Sequence, residues 1–139
     1  MFDMLKSCKI VQATNPTSSL AAATASKVVD MAGFDSCLFI NLIGATSGPV
    51  TMIAQMASST SDGDFAALTN ATVGPTTVGN GTLVIDVHKP TKRYLRVTVE
   101  STGASNVNGG VIAIAYNAHA CPTSNASSDV IDSTTIVST

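Results

Sequence analysis

Tryptophan is absent from this 139-residue chain, which holds only two tyrosines and four phenylalanines. Carbohydrate-binding modules use exposed flat rings as platforms for sugars, so this scarcity of aromatic residues argues against that class. Charged residues are also scarce, at 12% of the chain, which is about half of the usual share. The net charge of −2 argues against direct nucleic-acid binding, because nucleic-acid binders normally carry a basic excess.

Paired cysteines and long apolar runs are lacking as well. Cys8, Cys37 and Cys121 are odd in number, far apart and without a C-x-x-C pair, so we predict free, mostly buried thiols, no intrachain disulfide, no metal and no cofactor. Such thiols are typical of a chain that folds in a reducing cytosol. The longest apolar run, 37–43, is too short to span a bilayer, and residues 1–14 do not resemble a secretion signal. We therefore expect no membrane association.

No catalytic group is assembled in the sequence. Asp86 and His88 lie two residues apart on one predicted strand face, and no serine stands in a G-x-S-x-G elbow. The segment 62–64, Asp-Gly-Asp, lacks the further oxygen ligands of a calcium loop, and a turn explains it better. We therefore predict that the protein is not an enzyme.

Serine and threonine fill the polar positions instead of charged residues, with 34 of them in the chain. Apolar residues make up 45% of the sequence. The resulting surface is weakly charged and partly apolar, and such surfaces commonly end up against another protein.

Short alternating segments separated by Gly-, Ser- and Asn-rich clusters predict an all-β fold. We expect an antiparallel β-sandwich, jelly-roll-like, with extended N- and C-terminal arms. The predicted strands are 26–31, 37–44, 50–57, 82–88, 93–101 and 111–117. The predicted organisation is an N-terminal arm over 1–22, a sandwich domain over 23–117, and a C-terminal arm or flexible tail over 118–139.

Alternation also predicts which residues face the core. The expected core residues are Leu38, Ile40, Leu42, Met52, Met56, Leu83, Ile85, Val87, Leu95, Val97, Val99, Ile112 and Ile114. The strand 37–43 is apolar on both faces, with Cys37, Phe39 and Ile43 on the second one. A half-exposed antiparallel strand is not expected to look like this, so a loop covers its outer face or that face meets another subunit.

Strands 82–88 and 93–101 have two possible arrangements. As a hairpin, they would place Asp86 opposite Arg96 in a cross-strand ion pair. In a jelly roll, the two strands could instead belong to opposite sheets.

Two further segments allow alternative interpretations. The turn K-P-T-K-R with the following strand holds Lys89, Lys92, Arg93 and Arg96, which either guard a strand edge or form a patch for an acidic partner surface. The tail beyond Tyr116 is either a disordered segment or an arm that docks on a neighbour as an added strand. The residues available for docking are Val130, Ile131, Ile136 and Val137.

Three segments in order, V-T-M-I-A-Q-M-A-S-S-T-S-D-G-D-F, L-V-I-D-V-H-K-P-T-K-R-Y-L-R-V-T-V and G-V-I-A-I-A-Y, resemble the decoration (cement) proteins of tailed bacteriophages. The resemblance covers roughly 36–117. It implies a structural virion protein that assembles in the host cytoplasm, forms a homo-oligomer (dimer or trimer), binds the major capsid protein on the capsid surface and bridges capsomers. The alternatives are a head-fibre or tail-associated virion protein, or a ligand-binding (carbohydrate-binding) jelly-roll module.

The candidate interface joins the outer face of the strand 37–43, the basic turn and the tail. Its residues are Phe39, Lys89, Lys92, Arg93, Tyr94, Arg96, Val130, Ile131, Ile136 and Val137.

Overall fold

The computed structural model describes residues 3–20, 23–103, 105–121, 123–131 and 134. These residues form a one-turn helix, α1 (Met4–Ser7), and strands that are numbered here in chain order. The strands are β1 (Lys9–Gln12), β2 (Thr17–Leu20), β3 (Thr24–Ala25), β4 (Val29–Asp30), β5 (Phe34–Ile43), β6 (Val50–Ala57), β7 (Ala66–Thr76), β8 (Gly81–His88), β9 (Tyr94–Ser101) and β10 (Asn106–Ala118). A short 3₁₀ turn, Asp62–Asp64, precedes β7.

The strands form two antiparallel sheets packed face to face, which confirms the predicted β-sandwich. Sheet A has the order β1-β10-β5-β8, and β2 also pairs with β10. Sheet B has the order β3-β9-β6-β7, and β4 also pairs with β9. The chain crosses between sheets from β5 to β6, from β7 to β8, from β8 to β9 and from β9 to β10. This connectivity is that of a jelly roll.

Both ends of the described chain are tied to sheet A. β1 and β2 lie within 1–22, the range predicted as an N-terminal arm, and both pair with β10. β10 itself extends to Ala118. β1 and β2 are therefore part of the sandwich, and they supply one side of sheet A.

The core lies between the sheets and is built by alternation, as predicted for several strands. The predicted core residues Met52, Leu83, Ile85, Val87, Leu95, Val97 and Val99 are buried. Met56 is partly buried and packs against this cluster. On β8 and β9 the alternate positions are polar, for example Asp86 and Arg96, and this identifies the apolar face as the inward one.

The predicted faces of β5 and β10 were wrong. The buried residues of β5 include Phe39 and Asn41, each 0% exposed, whereas Leu38, Ile40 and Leu42 lie on the outer face. Both faces of β5 are apolar, so alternation alone did not show which one is inward, and the buried face also holds the amide of Asn41. Neither its Oδ1 nor its Nδ2 has a hydrogen-bond partner among the described residues.

β10 is inverted in the same way. From Val111 onward its buried positions are Val111, Ala113 and Ala115, whereas Ile112 and Ile114 face outward. Ala113 pairs with Phe39 across the ladder, so a small side chain stands beside the large buried ring. Complementary volumes of this kind keep a core close-packed.

Of the two arrangements left open for the strands 82–88 and 93–101, the structure shows the second. β8 pairs with β5 in sheet A, and β9 pairs with β6 in sheet B. Asp86 and Arg96 therefore lie on different sheets, with Leu38 and Gln55 as their ladder partners. The basic segment 89–93 is a crossover between sheets, as the jelly-roll alternative required.

Candidate protein-binding interface

The outer face of sheet A carries a contiguous set of apolar side chains, named here the apolar face. Its members are Ile10, Leu38, Ile40, Leu42, Val84, Ile112 and Ile114. Leu42, Val84 and Ile112 are the most exposed, at 47%, 46% and 41%. These side chains all stand on even-numbered positions of the ladder, so one alternation places them on one side of the sheet.

Ladder register makes the apolar face continuous across neighbouring strands. One row runs from Ile112 on β10 through Ile40 on β5 to Val84 on β8. A second row joins Ile10 on β1, Ile114 on β10 and Leu38 on β5. Side chains directly opposite in antiparallel strands lie about 5 Å apart, so each row is an unbroken apolar strip.

Leu42 extends the apolar face toward the N-terminal part of β10, where it pairs with Gly110. A Cβ atom placed on Gly109 would lie 2.8 Å from the Leu42 Cβ, so only glycine allows this approach. Glycine at position 109 therefore lets the Leu42 side chain lie against the backbone of β10.

Polar groups close the opposite end of the apolar face. The Tyr116 hydroxyl donates to Asp86 Oδ1 at 2.7 Å, and this bond raises the pKa of Tyr116. The Ser36 hydroxyl lies 2.9 Å from His88 Nδ1. Apolar surface with a polar border is the usual make-up of a protein–protein contact.

The Ser36–His88 contact does not provide an accessible nucleophile. Ser36 is 0% exposed, so no external substrate reaches its hydroxyl in this conformation. The carboxylate of Asp86 is engaged with Tyr116, and the other histidine, His119, contacts Asp35 at 2.6 Å. The hydrogen bond to His119 lowers the pKa of Asp35. Tyr116 also hydrogen-bonds Ser36, so Asp86, Tyr116, Ser36 and His88 form one polar network, whereas His119 and Asp35 form a separate pair.

The outer face of sheet B is polar by contrast. Arg96 donates to Asp62 Oδ1 at 2.6 Å and to Gln55 Oε1 at 2.8 Å. Its guanidinium carbon also lies 4.1 Å from the centroid of the Phe65 ring. Arg96 is thus almost buried, with 11% of its side chain exposed. It holds the 3₁₀ turn and the start of β7 against sheet B, so it is not available as the predicted partner-binding cation.

Arg93 is likewise engaged within the chain. Its Nε and Nη2 donate to the two carboxylate oxygens of Asp30, both at 2.8 Å. This hydrogen bonding lowers the pKa of Asp30 and raises that of Arg93. The guanidinium carbon also lies 5.2 Å from the centroid of the half-buried Tyr94 ring. The ion pair of Arg93 with Asp30 therefore holds the segment 89–93 against β4.

The two lysines of the basic turn have different surroundings. Lys89 is exposed and has a φ of 48°, and its backbone N–H donates to Asp35 O at 2.9 Å. Lys92 is half-buried. No salt bridge among the described residues involves either ammonium group. These two lysines are the remaining cations of the predicted patch.

The tail covers the free edge of β1. Asn125 Oδ1 accepts from Ile10 N at 2.6 Å, and Asp129 Oδ1 accepts from Gln12 N at 3.2 Å. Asp129 also contacts Lys27 Nζ at 3.2 Å. These side chains satisfy edge amides that would otherwise invite strand pairing.

Val130 and Ile131 end this tail segment. Val130 is half-buried and Ile131 is 92% exposed. Ile131 lines a groove of about 280 Å³ together with Ile10 and Ile112 of the apolar face. The predicted docking residues Ile136 and Val137 lie outside the described residues.

Of the predicted interface residues, the structure removes one outright. Phe39 lies in the core, because it stands on the buried alternation of β5. The outward residues of β5 and β10 are isoleucines and leucines. Since the other face of each strand is also apolar, the sequence did not show which face is inward. The structure places the basic turn at the end of the sandwich near Asp35, and the tail beside β1.

Neither metal ligands nor a membrane-spanning segment emerge from the described part of the chain. No group of three or more His, Cys, Asp or Glu residues there is arranged to hold a metal ion. No helix there is long and apolar enough to cross a membrane.

No known protein family matches the chain, and no curated protein sequence is significantly similar to it.

Proposed function

We propose that this protein is a non-enzymatic structural protein that docks by the apolar face of sheet A, and that it decorates and stabilises a bacteriophage capsid. The major capsid protein is the proposed partner, and self-association supplies further contacts. The sequence resemblance to phage decoration proteins supports the capsid as the docking surface. Such a protein acts on the outer surface of the virion.

The difference between the two outer faces carries this proposal. Sheet B presents Arg96, Gln55 and Asp62 in a hydrogen-bonded network, whereas sheet A presents Leu42, Val84 and Ile112 to solvent. A soluble monomer gains nothing from leaving such a row exposed, because each side chain loses the benefit of burial. One-sided apolar exposure fits a protein that lies flat against another protein surface.

Capsid binding of this kind needs no chemistry at the site. A capsid repeats the same surface many times, so a weak contact per copy becomes strong attachment when copies are also joined to each other. The low charge of the chain is consistent with attachment by apolar and hydrogen-bonded contacts. Long-range electrostatic steering would require more charge.

Introducing a carboxylate into the apolar face tests the proposal. We expect Leu42→Glu and Ile112→Glu each to reduce binding to capsid shells of the tailed bacteriophage that encodes this chain at least about tenfold, because docking would bury an unpaired charge. Both positions are more than a third exposed, so the isolated domain should still fold. Co-sedimentation with shells that lack this protein measures the binding, and circular dichroism checks the fold.

Val78→Glu is the matched control. Val78 is 74% exposed and precedes β8 in a loop outside the apolar face. This variant should bind shells as the wild type does. Equal binding by the Leu42, Ile112 and Val78 variants would show that the apolar face is not the docking surface.

A further inference from the structure

β8 leaves one edge of sheet A open. It pairs with β5 in an unbroken register from Gly81 to His88, and β5 is its only ladder partner among the described residues. Lys89 N donates to Asp35 O on the β5 side at 2.9 Å. Backbone groups alternate in direction along a strand, so the odd-numbered residues of β8 face β5. The amides and carbonyls of the even-numbered residues face the open edge.

The opposite edge of sheet A confirms this alternation. Ala13 N donates to Val111 O at 2.8 Å, which directs the odd-numbered residues of β1 toward β10. The even-numbered amides of Ile10 and Gln12 consequently point away from the sheet, where Asn125 and Asp129 accept them. The groups facing the open edge of β8 are those of Thr82, Val84, Asp86 and His88.

Three other edges, those of β1, of β3 with β4 and of β7, carry features that hinder pairing. The tail covers β1, as described above. On sheet B, the edge beside β9 is split into the two-residue strands β3 and β4. The β7 edge is bulged, because Thr72 pairs with Ile53 whereas Ala67 pairs with Gln55. No such feature interrupts β8, which also contains no lysine or proline.

Space for an added strand lies beside β8. A groove of about 370 Å³ separates residues 84–88 from the bulged part of β7, including Leu68 and Ala71. No hydrogen bond of the described chain reaches the backbone amides of Val84 or Asp86 from this groove. The open edge therefore has donors, acceptors and room for a partner strand.

We propose that β8 of a second copy of this chain pairs with this edge in antiparallel orientation, about a two-fold axis perpendicular to sheet A that passes midway between the Ile85 residues of the two copies. Thr82 of each copy then lies opposite His88 of the other, and Val84 lies opposite Asp86. Every outward amide and carbonyl of the two strands is paired in this register. Like charges do not face each other, so the strand is complementary to itself.

This pairing also explains why the open edge adjoins the apolar face. A two-fold axis perpendicular to the sheet places both apolar faces on the same side, and Val84 lies beside the junction. The dimer would therefore present one continuous docking surface of double area. The inference rests on the self-association in the proposed function, but its experiment uses the isolated chain, so capsid binding can succeed or fail independently.

Val84→Pro is the decisive variant. It removes an amide that faces the open edge and leaves the bonds from β8 to β5 in place. We expect dimerisation, measured by sedimentation equilibrium, to weaken at least about tenfold, because two symmetry-related hydrogen bonds are lost. Val84→Thr is the matched control, since it keeps the amide and the branched shape, and it should dimerise within about threefold of the wild type.

Amide hydrogen exchange tests the same pairing in the unmodified chain. The amides of Val84 and Asp86 should become protected as the protein concentration rises through the dimerisation range. The amides of Ile10 and Gln12 should be equally protected at all concentrations, because their acceptors lie within one copy. A wild type that stays monomeric at millimolar concentration would overturn the proposal, as would a dimer that Val84→Pro leaves intact. Protection of Val84 and Asp86 that needs capsid shells would assign the edge to a partner's strand and overturn self-pairing.

Discussion

Phe39 and Leu42 are three residues apart on β5 but have opposite surroundings. Phe39 is 0% exposed and Leu42 is 47% exposed. We expect Phe39→Ala to lower the free energy of unfolding by about 3–5 kcal/mol, because it leaves a cavity opposite Ala113. Leu42→Ala should lower the free energy of unfolding by less than about 1 kcal/mol, because this exposed side chain contributes little buried area. Urea unfolding followed by circular dichroism measures both, and similar costs would contradict the face assignment of β5.

The ion pair of Asp30 with Arg93 makes the stability of the fold depend on pH. The hydrogen bonds of Asp30 to Arg93 lower its folded-state pKa, so the pair stabilises the fold above the unfolded pKa near 3.8, and this contribution is lost as pH falls through the lowered value. Both side chains are more than a third exposed, so the contribution should stay below about 1 kcal/mol. Asp30→Asn should therefore destabilise the protein slightly at pH 7 and not at pH 2.

Urea unfolding at the two pH values gives this comparison. The exposed Glu100 on β9 provides a control, since no salt bridge of the described chain involves it. Glu100→Gln should change stability equally little at both values. A deficit of Asp30→Asn that persists unchanged at pH 2 would show that the ion pair is not its origin.

At the scale of single elements, the tail and β1 form a unit. Asn125 and Asp129 accept the outward amides of Ile10 and Gln12, although β1 ends the sheet at this side. Replacing both acceptors by alanine should make these two amides exchange several-fold faster with solvent, because water then replaces a fixed partner. The amide of Val11 faces β10 and should be unaffected. Uniformly faster exchange across β1 would instead indicate that the strand has detached.

The inward face of a strand was predicted correctly where polar residues mark its outward face. β8 and β9 alternate Asp86, His88 and Arg96 with apolar residues, so their inward faces were predicted correctly. β5 offers no such contrast, and its single internal amide, Asn41, lies on the buried face. Period-two alternation identifies the core face only when the other face is polar. The apolar face of sheet A was consequently predicted to be core.

At the scale of the whole molecule, the sandwich followed from composition, but the connectivity did not. The segment 89–93 is long enough either to close a hairpin or to cross between sheets, and nothing within it distinguishes the two. The ladders of β5 with β8 and of β6 with β9 decide for the crossover. Pairing between strands distant in sequence depends on the packing of the complete core.

The two surfaces proposed for assembly, the apolar face and the open edge of β8, are neighbours in the molecule. The apolar face and the open edge of β8 meet at Val84, which is 46% exposed. The polar outer face of sheet B lies on the opposite side of the sandwich, where Arg96 joins Gln55 and Asp62. The molecule thus has an apolar outer face on sheet A and a polar network on the outer face of sheet B, and the proposed docking uses the apolar one.

Cryo-electron microscopy of capsid shells of the tailed bacteriophage that encodes this chain, incubated with the purified protein, tests whether sheet A docks on a capsid. We expect ordered density for the sandwich on the shell, with sheet A toward the capsid protein and Leu42, Val84 and Ile112 in the contact. Density for the chain with sheet B against the shell and the apolar face open to solvent would contradict it. Bare shells at saturating protein concentration would contradict the capsid assignment altogether.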